Sequence, residues 1–503
     1  MRSKLFTAAL AGLALTWQLA GAATPAAAEP SAIGWATCGT TYTGECATIK
    51  VPLDYADPAG PAIDLAIGRL KALDPAKRKG VLFVHPGGPG GSGINAYILN
   101  RAAIPDSSPL RQYFDIVSVD PRGVGRSTPI LCDEDVVDRT PATYPADETE
   151  YRAWLAFNAK LSQNCRERTG PLFDHVDTTT VARDVDSIRA ALGERQISFF
   201  AISYGTQVGQ QYAELFPGNL RAMAIDSNMD HSITSPYAYL KTTTEDLEES
   251  FEEFAAWCRD TAACALHDQD VTAVWDGLFA KAEAGELADP DSGGALSAES
   301  LRMELFDAMY NPAANWFPLA ERLKALASQQ PAARAAALAE PVNYAYPVIW
   351  CSDWSWNVSG FAELDAYQRK LRKLAPHTRL SPFWSDVLTC LNWQGKVSNP
   401  QHRLDITPTA PTLVVKARAD VGTPKAWNYA AAGQIPRSVV LEYDGVGHGQ
   451  FRNSTCAREL VETYLIIRRP PATGTHCPAQ YPSAATQKAG PLPAGDVVRR
   501  PAH

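Results

Sequence analysis

The chain has 503 residues, of which 46% are hydrophobic and 20% are charged, and its formal net charge is −9. This length exceeds what one compact core usually serves, so it indicates a large domain with an insertion, or two domains. The negative charge, with no long basic run and no glycine-rich loop ending in Gly-Lys-Ser/Thr, argues against nucleic acid or anionic lipid as a partner.

The N-terminus has the pattern of an export signal. Arg2 and Lys4 precede an apolar run from Leu5 to Ala20, and small residues follow. We expect residues 1–29 to be a signal peptide cleaved between Ala22 and Glu29, which predicts a secreted, extracellular protein. The apolar run is short for a retained membrane anchor, and no later segment is long and apolar enough to span a bilayer, so we expect no stable membrane association.

The cysteine count agrees with export. An even number of cysteines in an exported chain favours disulfides over metal ligands, and neither C-x-x-C nor H-E-x-x-H occurs. Sequence leaves the connectivity open, but short loops are the simplest pairing. That pairing joins Cys38 to Cys46, Cys132 to Cys165, Cys258 to Cys264, Cys351 to Cys390 and Cys456 to Cys477.

Strand-like and helix-like segments alternate in the first half of the chain. Residues 80–88 and 114–123 are continuous apolar runs ending in glycine or proline, which suits strands buried on both faces of a parallel sheet. Residues 178–194 carry one apolar helical face, and residues 198–206 and 221–227 continue the alternation. The order predicts an α/β fold with a doubly wound, mostly parallel sheet.

Helical patterns replace strand patterns between residues 232 and 400, where tryptophans are also frequent. Strand patterns return at 412–420 and 439–445. We therefore predict a helical insertion at 232–400 between two parts of the sheet domain, residues 30–231 and 401–480, followed by an irregular tail at 481–503.

Ser203 lies in "FFAISYGTQ", where a strand pattern turns abruptly into a helix pattern. In an α/β-hydrolase sheet the nucleophilic serine occupies such a strand–turn–helix elbow, with small flanking residues that let strand and helix pass closely. Gly205 meets that need, whereas Ala201 replaces the first glycine of G-x-S-x-G. A helix cap is the alternative role for Ser203, so the rest of the chain must supply partners.

The segment "VLFVHPGGPGGSG" provides one of these partners. Its glycines follow an apolar strand and can turn backbone N–H groups toward a substrate carbonyl, as an oxyanion hole requires. The lysine of a phosphate-binding loop is missing. We expect Gly87 or Gly88, together with the Tyr204 N–H, to donate these hydrogen bonds, and His85 to be structural.

The acid and the base should follow the serine in the chain, each at the end of a strand. Asp420 ends the strand pattern at 412–420, and His448 lies in a glycine-rich loop after the last strand pattern. Asp444 is the alternative acid, but it lies only four residues before His448, and we interpret it as structural. Ser203, His448 and Asp420 are therefore the predicted catalytic triad.

Six motifs together resemble the secreted actinobacterial tripeptidyl aminopeptidases, α/β-hydrolase serine peptidases related to proline iminopeptidases. They are "VPLDYADP", "HPGGPGGSG", "DPRGVGRS", "SYGT", "ADVGTP" and "GVGHG", within residues 35–477. The resemblance implies an α/β-hydrolase fold, a helical cap over the site and release of short peptides from a free N-terminus. It carries the triad to the same three residues and gives Arg122 a structural role under the oxyanion loop.

An aminopeptidase needs a negative group for the substrate ammonium, since a buried unpaired charge is costly. Asp353 is our candidate, with a solvated acidic residue as the alternative role. We expect Trp350 and Trp354 either to line the pocket or to belong to the core. We expect a peptide or a small amide or ester as substrate, and neither a metal nor an organic cofactor. An esterase or amide hydrolase is the first alternative, and a non-catalytic binding protein is the second. The sequence leaves the oligomeric state open.

Overall fold

The computed structural model describes residues 33–41, 44–329, 344–407 and 411–483. The predicted signal peptide at 1–29 and most of the predicted tail, from 484 onward, lie outside the described residues. All of the described residues belong to one compact unit, which begins at Ile33. No helix in these ranges is both long and apolar enough to cross a membrane.

A single twisted sheet forms the centre of the described chain, with strand order β1-β2-β3-β5-β4-β6-β7-β8-β9-β10. The strands are β1 (Ala36–Cys38), β2 (Gly44–Pro52), β3 (Ala62–Leu70), β4 (Val81–His85), β5 (Asp115–Val119), β6 (Ile197–Ser203), β7 (Leu220–Asn228), β8 (Thr412–Ala419), β9 (Ser438–Val446) and β10 (His476–Cys477). From β5 to β10 along this order every neighbouring pair is parallel, whereas β1, β2 and β3 pair in antiparallel fashion. The predicted α/β fold with a mostly parallel sheet is confirmed.

The central strands are apolar because both faces of the sheet are covered. In β6, Phe199 and Ala201 point into the core on one face, while Phe200 and Ile202 point into the core on the other. Successive side chains of a strand alternate between faces, so a strand buried on both sides shows no polar alternation. This explains the continuous apolar runs of the sequence.

The helices lie around this sheet and in one long insertion. They are α1 (Leu110–Tyr113), α2 (Glu134–Val137), α3 (Glu148–Thr169), α4 (Thr178–Ala191), α5 (Gly205–Leu215), α6 (Pro236–Asp260), α7 (Val271–Glu283), α8 (Ala298–Tyr310), α9 (Pro312–Ser328), α10 (Ala345–Asp353), α11 (Phe361–Leu374), α12 (Trp384–Thr389), α13 (Lys425–Gln434), α14 (Gln450–Asn453) and α15 (Thr455–Ile467).

Helices α6 to α12 follow β7 and precede β8, inside the range 232–400 predicted for the insertion. We call them the cap. Side-chain oxygens begin several of these helices: Ser235 caps α6, Asp270 caps α7 and Ser297 caps α8, each accepting a backbone N–H of the first turn. Their apolar faces join the same core that covers one face of the sheet.

Five disulfide bonds join cysteines that are neighbours in sequence. The pairs are Cys38–Cys46, Cys132–Cys165, Cys258–Cys264, Cys351–Cys390 and Cys456–Cys477. The last pair ties β10 to α15, and the main-chain carbonyl of Pro482 accepts a hydrogen bond from Trp257 in the cap. The end of the described chain is thereby held against the rest of the fold.

Candidate active site

Ser203 ends β6 in the left-handed backbone region, with φ of 63°, and α5 begins two residues later. A positive φ is uncommon for a residue with a side chain and marks a sharp turn. The turn needs small neighbours: a Cβ at Gly205 would lie 2.8 Å from His85 Nδ1 and 2.9 Å from His85 O. Ala201 is fully buried within the strand, so its methyl group is accommodated beneath the turn.

The glycine loop after β4 lies directly against this turn, because β4 and β6 are neighbouring parallel strands. Gly87 and Gly88 have φ of 105° and 119°, and a Cβ at Gly87 would be 3.0 Å from Ser203 Cβ and 3.3 Å from Tyr204 N. Only glycine allows that backbone conformation and that approach together. The structure thus brings Gly87, Ser203 and the Tyr204 amide to one place.

His85 and Arg122, two buried side chains that we interpret as structural, have different surroundings. The Gly87 N–H donates to His85 Nδ1 at 3.4 Å, and burial lowers the pKa of His85 to about 4, so the imidazole stays neutral. Arg122 instead binds both carboxylate oxygens of Asp184 at 2.7 Å and the carbonyls of Pro52, Leu53 and His175.

Asp120 contacts the glycine loop, whereas the resemblance implied that Arg122 supports this loop. Its Oδ1 accepts hydrogen bonds from Ser92 Oγ at 2.6 Å and from Ile94 N at 3.1 Å. Asp120 follows β5 and is fully buried. Arg122, two residues later, ties the end of β2 to α4, so the two residues support different parts of the fold.

Asp420 and His448 follow β8 and β9, which are neighbouring parallel strands. His448 Nδ1 lies 2.7 Å from Asp420 Oδ1, and the Asp420 carboxylate also accepts hydrogen bonds from Gly422 N, Thr423 N and Thr423 Oγ1. A Cβ at Gly422 would lie 2.6 Å from His448 Nδ1, so glycine leaves room for the imidazole. This pairing leaves the opposite ring nitrogen, Nε2, available to a nucleophile.

The His448 loop also lies beside the Ser203 turn. A Cβ at Gly449 would be 3.2 Å from Ile202 Cγ2, the residue before Ser203, and the Phe451 and Phe200 rings are 4.8 Å apart. The Gly449 N–H donates to Ser227 Oγ at 2.8 Å, and the Phe451 N–H donates to Asp226 at 2.8 Å. The loops bearing Ser203, Asp420 and His448 therefore meet at the same edge of the sheet.

Asp444 lies apart from this cluster. Its Oδ1 is 2.9 Å from His476 Nδ1, and both side chains are about half exposed. Asp444 and His476 thus form another aspartate–histidine pair, with a similar oxygen–nitrogen distance, at the surface. Of the two acids considered from the sequence, Asp420 is the one that contacts His448.

Three groups near the site were not found from the sequence: Asp226 and Asp246, which are buried, and Tyr310, which is partly buried. Asp226 is buried at the end of β7, and burial raises its pKa to about 6. Asp246, in α6, accepts hydrogen bonds from the backbone of the Asp420 loop, and burial raises its pKa to about 7. The Tyr310 ring, at the end of α8, packs against His448 with centroids 4.7 Å apart. Only Asp226, at a strand end, had a signal that sequence reasoning could use.

Asp353 lies beneath the elbow. It is fully buried, and its carboxylate accepts hydrogen bonds from Thr178 N at 2.9 Å, Asn399 Nδ2 at 2.7 Å and Tyr204 Oη at 2.9 Å, as well as from the Thr178 hydroxyl. Burial raises its pKa to about 7, and Asp177 adds to that rise. Protein donors therefore occupy both oxygens that we expected to face a substrate ammonium.

Trp350 and Trp354 lie inside the cap core. They are 2% and 0% exposed, and their rings stack with centroids 4.7 Å apart. Trp350 Nε1 donates to the Asp386 carbonyl at 3.0 Å. Their packing accounts for the tryptophan-rich sequence without a substrate. Among the described residues, no group of three or more His, Cys, Asp or Glu side chains is arranged to hold a metal ion.

A parallel sheet with a positive-φ serine at a strand–turn–helix elbow, and an aspartate–histidine pair on adjacent strand ends, defines an α/β hydrolase. The TAP-like protein family model matches residues 377–477. The chain is 30% identical to the tripeptidyl aminopeptidase of Streptomyces lividans over 488 residues, covering 91% of this chain and 89% of that protein.

Two mycobacterial relatives are also similar to this chain over most of its length. Serine protease Hip1 of Mycobacterium tuberculosis is 29% identical over 465 residues, covering 86% of this chain and 87% of that protein. Carboxylesterase B of the same species is 30% identical over 468 residues, covering 86% of each chain. The chain belongs to the tripeptidyl aminopeptidase family and is a serine peptidase or hydrolase, so the predicted family and enzyme class are confirmed.

Proposed function

We propose that this enzyme is a secreted exopeptidase that releases tripeptides or other short peptides from the free N-terminus of its substrates. Ser203 is the nucleophile, His448 is the base and Asp420 orients it. The observation that carries the proposal is the 2.7 Å hydrogen bond between His448 Nδ1 and Asp420 Oδ1, beside the strained Ser203 turn. The five disulfide bonds support secretion, because disulfides persist in oxidising compartments.

The reaction follows from the roles of these groups. His448 Nε2 takes the proton of the Ser203 hydroxyl as its oxygen attacks the peptide carbonyl, and the Asp420 carboxylate stabilises the imidazolium that forms. The Gly88 and Tyr204 N–H groups hydrogen-bond to the oxyanion of the tetrahedral intermediate. His448 then gives its proton to the leaving amine, and water, activated by the same imidazole, hydrolyses the acyl-enzyme.

Restriction to chain ends is attributed to the cap. Tyr310 of α8 and Asp246 of α6 both contact the catalytic loops, so cap helices lie directly beside the reacting groups. A cap that contacts the base and the loop of the acid favours a substrate that enters by one end over a chain that passes through. The name of the Streptomyces relative, tripeptidyl aminopeptidase, supports the same substrate class.

Ester or amide hydrolysis of a small metabolite by the same triad is the second candidate. It is favoured by the relative named carboxylesterase B, whose identity to this chain equals that of the tripeptidyl aminopeptidase. A non-catalytic binding protein is not retained, since these relatives are named as enzymes. The peptidase releases an amine from a peptide, whereas the second candidate releases an alcohol from an ester or an amine from a small amide.

A fluorophosphonate probe and a peptide pool test the proposal. We expect the probe to label wild-type protein and Ser232→Ala but not Ser203→Ala, because the Ser232 hydroxyl bonds to Asp230 and Gln434 and, among the described residues, to no member of the proposed triad. Mass spectrometry of matched peptides with free and acetylated N-termini should show short products from the free series alone. Equal cleavage of both series would contradict the exopeptidase, and turnover of chromogenic esters without peptide cleavage would favour the esterase.

A further inference from the structure

Asp246 lies in the first cap helix, α6, and is 2% exposed. One of its oxygens, Oδ2, accepts hydrogen bonds from two backbone groups, the Asp420 N–H at 3.0 Å and the Lys425 N–H at 2.8 Å. These two donors are the first residue of the loop that joins β8 to α13 and the first residue of α13. A single carboxylate of the cap therefore holds both ends of the loop that carries the acid.

We propose that Asp246 is a positioning residue: it fixes the Asp420–Lys425 loop so that the Asp420 carboxylate stays on His448. This inference rests on the proposed function, because it assigns Asp246 a task only if Asp420 orients the base. The cap is then more than a lid over the substrate, since one of its helices completes the support of the triad.

The hydrogen bonds inside the loop explain why it needs an outside anchor. The Asp420 carboxylate accepts hydrogen bonds from Gly422 N at 2.8 Å, Thr423 N at 3.1 Å and Thr423 Oγ1 at 3.0 Å, so it is shared between its own loop and His448. These internal bonds set the shape of the loop but do not fix its place relative to β9. Asn428 of α13 holds the Thr423 and Pro424 carbonyls, and the two bonds to Asp246 add a reference from the cap at both ends of the loop.

Asp246 has a different role from the acidic residues on the exposed face of α6. One turn later, Glu249 is partly exposed and pairs with Lys425 Nζ and with Arg418, so it interacts with side chains and not with the loop backbone. Lys425 therefore receives two contacts from α6, one on its backbone N–H and one on its ammonium group. The two contacts can be removed separately.

The test compares Asp246→Ala, Asp246→Asn and Glu249→Gln by steady-state kinetics and by the rate of fluorophosphonate labelling of Ser203. We expect Asp246→Ala to lower kcat by about 10- to 100-fold with KM changed by less than about threefold, because small misplacement of a catalytic group costs this much. Labelling should slow in parallel. Asparagine keeps an acceptor oxygen, so Asp246→Asn should retain kcat within about threefold, and Glu249→Gln should equal wild type.

A second pair of variants leaves Asp246 intact. Lys425 is the first residue of α13, where proline is tolerated, so Lys425→Pro removes the backbone donor, whereas Lys425→Ala removes only the ammonium group. We expect a lower kcat in the proline variant and not in the alanine variant. If Asp246→Ala does not fold, the two Lys425 variants test the positioning role of Asp246 instead.

Two results would overturn the inference: wild-type kcat in Asp246→Ala, or equal losses in Asp246→Asn and Asp246→Ala. Equal kcat values in the two folded Lys425 variants would overturn it as well. If wild-type protein neither labels nor turns over substrate, the proposed function fails and this inference fails with it. Active wild type with unaffected variants removes the positioning role alone.

Discussion

The ring of Tyr310 meets the imidazole of His448 edge to face, with 4.7 Å between their centroids, and the Tyr310 carbonyl accepts a hydrogen bond from the His448 N–H at 2.9 Å. Tyr310 ends a cap helix, whereas His448 follows the ninth strand. The contact joins the inserted helices to the base of the proposed triad. A cap that was only a cover would have no need to touch this residue.

We expect Tyr310→Ala to lower kcat/KM by roughly 10-fold, because the His448 imidazole loses the packed ring that limits its rotation. Tyr310→Phe keeps the ring and should stay within about threefold of wild type. Steady-state kinetics on the same peptide measure both, with Tyr429→Phe, an exposed tyrosine on α13, as a control. Full activity in Tyr310→Ala would show that the ring does not orient His448.

The Asp420–His448 and Asp444–His476 pairs provide a matched comparison for the acid and the base. Asp420→Asn should lower kcat on the order of 10³- to 10⁴-fold, because the amide favours the wrong imidazole tautomer. Asp444→Asn changes the partner of His476 at the surface and should leave kcat unchanged. His448→Ala and His476→Ala should differ in the same way. Comparable losses in both pairs would contradict the assignment of Asp420 and His448.

The two small residues that flank Ser203 should differ in how well they tolerate substitution. In Gly205→Ala the new Cβ would lie 2.9 Å from the His85 carbonyl, so we expect a loss of about 1–3 kcal/mol in the free energy of unfolding and lower activity. Ala201→Gly restores the usual glycine and should cost at most about 1 kcal/mol with activity retained. Urea unfolding and kcat measure both; a tolerated Gly205→Ala would show that the elbow can relax.

The arrangement of Ser203, Asp420 and His448 could be anticipated because parallel strands end at one edge, so strand-end residues far apart in sequence must meet. The glycine loop was recognisable because its composition follows directly after a strand. The contacts of Tyr310 and Asp246 could not be anticipated, since each belongs to an amphipathic helix whose pattern specifies a buried face but not the loop it covers.

Asp353 and Arg122 illustrate a second limit. Both residues were singled out from local motifs. Their roles, however, depend on burial and on hydrogen-bond partners that lie far away in the sequence. Asp353 contacts Thr178 and Tyr204, and Arg122 contacts Asp184. Trp350 and Trp354 follow the same principle, because a tryptophan in a pocket and one in a core share the same local pattern.

The last prediction concerns Asp353 and the pH dependence of stability. Its folded pKa of about 7 lies above its ordinary value of 3.8, mainly because of burial. Between these two pH values the folded state binds more protons at this group than the unfolded state, so the contribution of Asp353 is most favourable below about pH 4 and is lost as pH rises toward 7. Each pKa unit of this difference corresponds to about 1.4 kcal/mol.

We therefore expect Asp353→Asn to gain in unfolding free energy relative to wild type as pH rises from 4 to 7, and the difference to stay level above pH 7. Urea unfolding at pH 5, 6, 7 and 8 measures this difference, and Asp444→Asn, at the surface, should show no comparable change. A difference that does not depend on pH would mean that Asp353 remains ionised throughout, stabilised by its hydrogen bonds from Thr178, Tyr204 and Asn399.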